Sequence, residues 1–383
     1  MIQAAAVVLG ILLLVVVMWD VFETIVVPRP TPGVFRVGRY VVRGTWRAVR
    51  ALATRGEGRH ERLLGLFAPA ATILLLLTWL TGLVVGYGLV LYGIRDELGP
   101  GPVDLGTAIY FGATSVLTLG FGDVLPVGGI ARFVSAAAAL TGLGVVALVV
   151  TFLFSLFGSY QRREVAVVTL QAKAGAPPSA VVLLESLARL ELVDHLPDFF
   201  GRWEVWIAEV LDSHIAYPLL GFFRSSHDDV SWISALGTVL DTASLVVTTI
   251  EGVPRGQAEL AKKMGAHLVE DITNLGFRAQ GADGVDRESF DAVYARLAAA
   301  GYRLVPADDA WPMFSRARAS YAERLEAMAA YWAVPAAAWF GGRRAMHPAA
   351  AVPAPAPAPA AAGRPADVPA GVREVETARP DRA

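Results

Sequence analysis

The 383-residue sequence predicts an all-α membrane protein with three membrane-spanning helices, a re-entrant helix and loop, and a C-terminal all-helical domain. Three observations predict it. The composition, 55% hydrophobic and 18% charged, leans well away from an ordinary soluble chain. Almost all of the uninterrupted apolar sequence lies before Tyr160. A shorter apolar segment between the last two long runs ends in glycine-rich sequence.

A bilayer core about 30 Å thick takes about 20 apolar helical residues to cross. The run from Ala4 to Val27 is apolar except for Asp20, Glu23 and Thr24 near its end; Leu63 to Ile94 contains no charge; Ile130 to Tyr160 carries only Arg132. The first run has no basic residue ahead of its core and no evident small-residue cleavage site, so a retained span is expected over a secretory signal. Asp20 and Glu23 stand one helical step apart, and pairing with Arg29 or the arginines after it is the plain expectation for acids at that depth.

Orientation follows from the basic flanks, because positively charged short loops stay in the cytoplasm. Between Pro28 and Leu63 nine arginines face only Glu57 and Glu61, a local charge of +7. The N-terminus is therefore expected outside, with Gln161-Arg162-Arg163 marking the final exit into the cytoplasm of a multi-pass plasma-membrane protein. Arg36, Arg39, Arg43, Arg47 and Arg50 recur at steps of three and four and share one helical face. An interfacial helix on anionic lipid fits this better than a voltage sensor, whose arginines sit inside a span.

From Asp96 to Gly129 the chain starts polar, turns apolar over about Leu105 to Leu117, and then becomes glycine-rich. The apolar part is too short to cross a bilayer, which favours a re-entrant helix. Non-helical backbone at that depth must be buried in protein or line a watery cavity. Backbone carbonyls that replace the hydration shell of a monovalent cation need unusual dihedrals at alternate residues, which glycine reaches without penalty. Gly120-Phe121-Gly122 meets that need, with Leu119 and Phe121 expected to pack outward against the pore helix.

The sequence Thr118-Leu119-Gly120-Phe121-Gly122-Asp123 resembles the selectivity filter of the potassium-channel superfamily. A pore-helix-length segment precedes it, Pro126 and Arg132 follow at the family's spacing, and Gly142 falls where many members place a hinge glycine. The resemblance implies potassium ions held by the carbonyls of Thr118, Leu119, Gly120 and Phe121 and by the Thr118 hydroxyl, with Gly122 at the outer mouth and Asp123 bracing the loop. Leu119 stands where Val or Ile is usual, Phe121 where Tyr is usual, and Thr114 where some bacterial members carry a carboxylate partner for the Asp. One filter per chain implies a homotetramer. Gly142 and Gly144 are gating-hinge candidates, with simple helix packing an equal alternative.

The expected organisation is an N-terminal span (1–27), a basic linker with an interfacial helix (28–62), a pore domain (63–160), a helical cytoplasmic domain (161–345) and an Ala/Pro-rich tail (346–383) too poor in apolar residues to fold. Helical periodicity marks Ala180–Leu192, Trp203–Ile215, Val230–Ile250, Gln257–Asn274, Arg287–Ala300 and Ser315–Ala333, roughly six helices. No Gly-x-Gly-x-x-Gly turn of a nucleotide-binding domain occurs among them. His195, His214, His227, Asp228 and Asp229 match no helical ligand spacing, and Ser225 to Asp229 read as a helix N-cap. With no cysteine, thiolate metal sites and disulfides are excluded. No cofactor beyond permeant potassium, no enzymatic activity and no nucleic-acid partner are expected. A non-selective cation channel and a non-conducting membrane-anchored scaffold stand as alternatives to a potassium channel.

Overall fold

The computed structural model describes residues 1–27, 37–53, 60–227, 229–273 and 285–339. The expected tail, and Arg29 and Arg36 of the basic linker, lie outside the described residues.

Uninterrupted Leu, Val and Ala sequence builds three helices long and apolar enough to span a membrane, over Ile2–Val26, Glu61–Gly93 and Gly129–Ala174. Helix α1 (Ile2–Val21) closes in a π-helical turn, and α3 (His60–Gly93) runs beside it. Between them comes α2 (Val37–Ala53). A short helix, α4 (Leu105–Val116), is framed by two-residue strands β1 (Leu98–Gly99) and β2 (Leu125–Pro126), and α5 (Gly129–Ala174) follows.

Helix α5 does not stop at Tyr160. It continues to Ala174 because Val167, Leu170 and Ala174 enter the core of the C-terminal domain. That domain holds seven helices among the described residues, one more than expected: α6 (Ala180–Arg189), α7 (Leu196–Ala216), α8 (Trp232–Thr248), α9 (Gly256–Thr273), α10 (Arg287–Ala299), α11 (Ala307–Ala319) and α12 (Ala322–Trp332). The extra helix arises because the segment read as Ser315–Ala333 breaks at Tyr321. Its backbone leaves the helical region (φ −133°) and its hydroxyl donates to buried Asp241 at 2.7 Å. Helix α8 lies at the centre, buried on nearly every side. Its cap is not in Ser225–Asp229: Ser231 accepts from the Ser234 amide and Ser234 accepts from the Ser231 amide, a capping box two residues later.

Arg29, the first arginine expected to pair with Asp20 and Glu23, lies outside the described residues. Asp20 is buried, accepts from the Trp79 indole at 2.7 Å and from the Gly38 amide at 3.1 Å, and so places a negative charge at the start of α2. Helix α2 leaves Arg39, Arg43 and Arg47 exposed and turns Trp46 inward, where it meets Phe67 of α3 and Phe222 of the C-terminal domain at 4.8 and 5.2 Å.

Phe222 ends a 3-10 turn, Pro218–Phe222, that α5 grips from the other side. Arg163 of α5, 2% exposed, donates to the Leu220 carbonyl at 2.9 Å and the Phe223 carbonyl at 2.7 Å, and pairs with Glu164 at 3.0 Å. Its guanidinium also meets His214 Nε2 at 3.3 Å. Arginine can only donate, so Nε2 accepts and the proton sits on Nδ1, facing the Val210 carbonyl at 2.8 Å. His214 is therefore a core residue held neutral.

Burial, reinforced by the Arg163 charge, lowers the His214 imidazole to about 3. A histidine whose folded value lies below the unfolded value of about 6.5 keeps its full stability contribution above pH 6.5 and loses it as the pH falls from there towards 3. The expected loss by pH 5 is about 2 kcal/mol. Thermal unfolding followed from pH 7.5 to 5 should show it, and His214→Gln should flatten that slope; an unchanged slope would mean the ring is already charged in the fold.

Candidate functional site: the loop from Thr118 to Asp123

The loop is held at both ends before any of its own residues are considered. At the entrance, Asp104 caps α4 by accepting from the Thr107 amide at 2.7 Å. Helix α4 seats on α3 through Gly112, where a Cβ would fall 2.8 Å from the Gly88 backbone nitrogen. At its C-terminus, the amides of Thr118 and Leu119 donate to the carbonyls of Ser115 and Thr114 at 3.1 and 2.8 Å.

At the exit, Glu97 makes two ties and the strand that follows it a third. Its carbonyl accepts from Val127 at 2.9 Å, its carboxylate accepts from the Ala131 amide in the first turn of α5 at 2.9 Å, and β1 pairs antiparallel with β2. Arg132 adds a hydrogen bond from Nε to the Pro126 carbonyl at 3.2 Å.

Between these anchors the backbone alternates. Thr118, Gly120 and Gly122 have φ of 55°, 58° and 81°, while Leu119 and Phe121 between them are not in the positive region. Alternating hand along an extended strand turns successive carbonyls to one side, which is what a row of cation sites needs. Glycine takes this conformation freely, but Thr118 is β-branched and takes it at a cost, the kind of local strain that functional sites hold. Nothing in the sequence of Thr118 signals that strain; only its place in the alternation does.

The expected packing of Leu119 and Phe121 on the pore helix is not made within one chain. They remain 53% and 67% exposed. The single chain presents the loop at an edge, so neither side chain has a wall of its own to lean on.

Thr114 supports the loop with its carbonyl, not its side chain, whose hydroxyl turns back to the Phe111 carbonyl at 3.0 Å. The side chain that interacts with the Asp123 carboxylate is the phenol of Tyr110, one turn earlier on α4 than Thr114. Nothing in the sequence marks Tyr110, because the family's partner for this acid would stand at Thr114. A phenol on the same helical face stands beside the acid instead.

Gly142 lies directly behind the loop: a Cβ there would run into the Val116 carbonyl at the end of α4. Gly144 borders open space, and α5 passes both glycines unbroken. The Tyr87 hydroxyl of α3 meets Thr141 at 2.7 Å, so all three helices converge behind the loop.

Residues 73–159 match the sequence pattern of the family described as "Ion channel". The match takes in most of α3, all of α4 and the loop, and α5 as far as Ser159. The "Uncharacterized membrane protein YdjJ" of Bacillus subtilis (strain 168) is 24% identical over 203 residues, 52% of this chain and 57% of that protein's length. No solved structure matches the chain.

Proposed function

We propose, from the match of residues 73–159 to the ion-channel family and the resemblance of the loop to a potassium-channel filter, that this chain is one subunit of a homotetrameric, potassium-selective channel conducting passively across the plasma membrane. The observation that carries the proposal is the alternation of positive φ at Thr118, Gly120 and Gly122. One strand of carbonyls cannot surround an ion, whereas four converging strands form rings that replace its water. The exposure of Leu119 and Phe121 supports the same reading, since each would be covered by the pore helix of a neighbouring copy.

The nine arginines of the 28–62 segment support an N-terminus outside and a C-terminal domain in the cytoplasm. With Arg39, Arg43 and Arg47 exposed along α2, that helix would rest on the anionic inner leaflet. Gly142, pressed on α4, acts in this reading as a packing contact, and Gly144 is the freer place for α5 to bend.

Selectivity is tested by the reversal potential of reconstituted protein between asymmetric potassium and sodium solutions. A value close to the potassium equilibrium potential is expected. A value near zero would replace the proposal with a non-selective cation channel on the same architecture.

The brace on the loop has its own test. In the assembled pore we expect the Tyr110 phenol to close a hydrogen bond to Asp123; such a bond to a charged acceptor contributes about 1.5 kcal/mol, so Tyr110→Phe should let currents decay about tenfold faster at unchanged single-channel conductance. Unaltered decay would show that Asp123 does not depend on the phenol.

A further inference from the structure

Helix α5 has two faces along its whole length. Its buried residues, from Ala138 through Val145, Phe152, Leu156, Arg163 and Leu170 to Ala174, keep to one side. The opposite side stays uncovered from the membrane segment to the last turn, although 46 residues at about 1.5 Å each carry the helix roughly twice the bilayer's thickness.

Beyond Tyr160 that uncovered side cannot face lipid. Its midline runs from half-buried Gly158, just before Tyr160, through exposed Gln161, Val165, Val168 and Ala172, spaced three, four, three and four residues apart, with Val165 67% and Val168 44% exposed and with exposed Arg162 and Thr169 along one border. This is the spacing of a coiled-coil seam. Charges keep to its flanks: Arg162 is drawn back to the Ser159 hydroxyl at 3.1 Å, and Arg163 and Glu164 point into the domain. A single polar residue at a seam position, here Gln161, is the usual means of fixing register and strand number.

We infer that in the assembled channel residues 158–172 of the copies pack against one another as a parallel helical bundle, a neck that extends the pore axis beyond the membrane. The occupant of the seam is a further copy of this chain for two reasons. The seam holds the same azimuth as the exposed Leu140, Leu143 and Phe154 higher on the helix, where subunits gathered around a common filter must meet. The helix also cannot turn that face elsewhere, because Val167, Leu170 and Ala174 fix its other side in the subunit's own core. The inference rests on the tetrameric reading above and adds where, outside the membrane, the copies touch.

The chain has no cysteine, so single cysteines report without background. In membranes holding the full-length protein, Val165→Cys and Val168→Cys should each form an intersubunit disulfide on mild oxidation, since seam residues of adjacent strands come within bridging distance. Val205→Cys, 61% exposed on α7, should cross-link about tenfold less. A protein that is tetrameric by native mass but fails to cross-link at Val165 and Val168, or cross-links equally at Val205, overturns the neck alone. A monomeric protein overturns the tetramer with it.

Discussion

Gly120→Ala is expected to abolish potassium flux while leaving the assembled protein intact. Gly120 sits at φ 58°, and a Cβ added there meets no atom within 4 Å of its own chain. The cost is therefore conformational and not steric. An L-residue in the left-handed region costs roughly 1–2 kcal/mol, and a ring built from four copies pays it four times, about 4–8 kcal/mol against the one arrangement that aligns the carbonyls. Relaxing the strain means flipping the peptide, which turns the carbonyl away from the ion path. The rest of the subunit has no reason to respond, because the loop's ends are held separately by the Thr114 carbonyl and by Glu97. Potassium efflux from proteoliposomes, read beside native mass, checks both halves. Flux equal to that of the unaltered protein would remove the loop from the conduction path, and a scaffold whose C-terminal domain does the work would be indifferent to the change.

How much of this was legible in the sequence depended on the range of the interactions concerned. The three spans and the re-entrant helix follow from run length and apolar content alone, and the expected Leu105–Leu117 segment differs from α4 by one residue. The need for left-handed dihedrals could be read at Gly120 and Gly122 because glycine advertises them. At Thr118 it could not, because the conformation is imposed by the anchors on either side. Tyr110, Glu97 and Arg163 act on residues 13 or more positions away, and no local pattern points to them. No local pattern announces that the Asp20 carboxylate also accepts from an indole and a helix-start amide, since Trp79 lies 59 residues away. The wall expected behind Leu119 and Phe121 is not provided by one chain. Hydropathy falls at Tyr160 and so predicts an end to α5 there, while packing against the C-terminal core carries it fourteen residues further.

Arg163→Met should destabilise the C-terminal domain by about 3–5 kcal/mol, more than acidification does through His214. Its guanidinium and the Glu164 carboxylate are both withdrawn from water, with side chains 2% and 8% exposed. Without the arginine, Glu164 keeps the Ser225 hydroxyl at 3.2 Å as its remaining partner and stays buried with its charge uncompensated. The Phe223 carbonyl loses the Arg163 donor at the same time and the Leu220 carbonyl keeps only the Phe223 amide, which loosens the turn that α5 grips and that packs on Trp46 and Phe67. For a domain of this size the loss corresponds to a fall in Tm of about 10 °C. Adding Glu164→Gln should recover much of it, because the uncompensated charge is the larger part of the cost and an amide oxygen can still accept from Ser225. A single variant that melts with the unaltered protein, or a double variant no better than the single, would show that the pair is solvated in the fold and that α5 holds the domain through apolar packing alone.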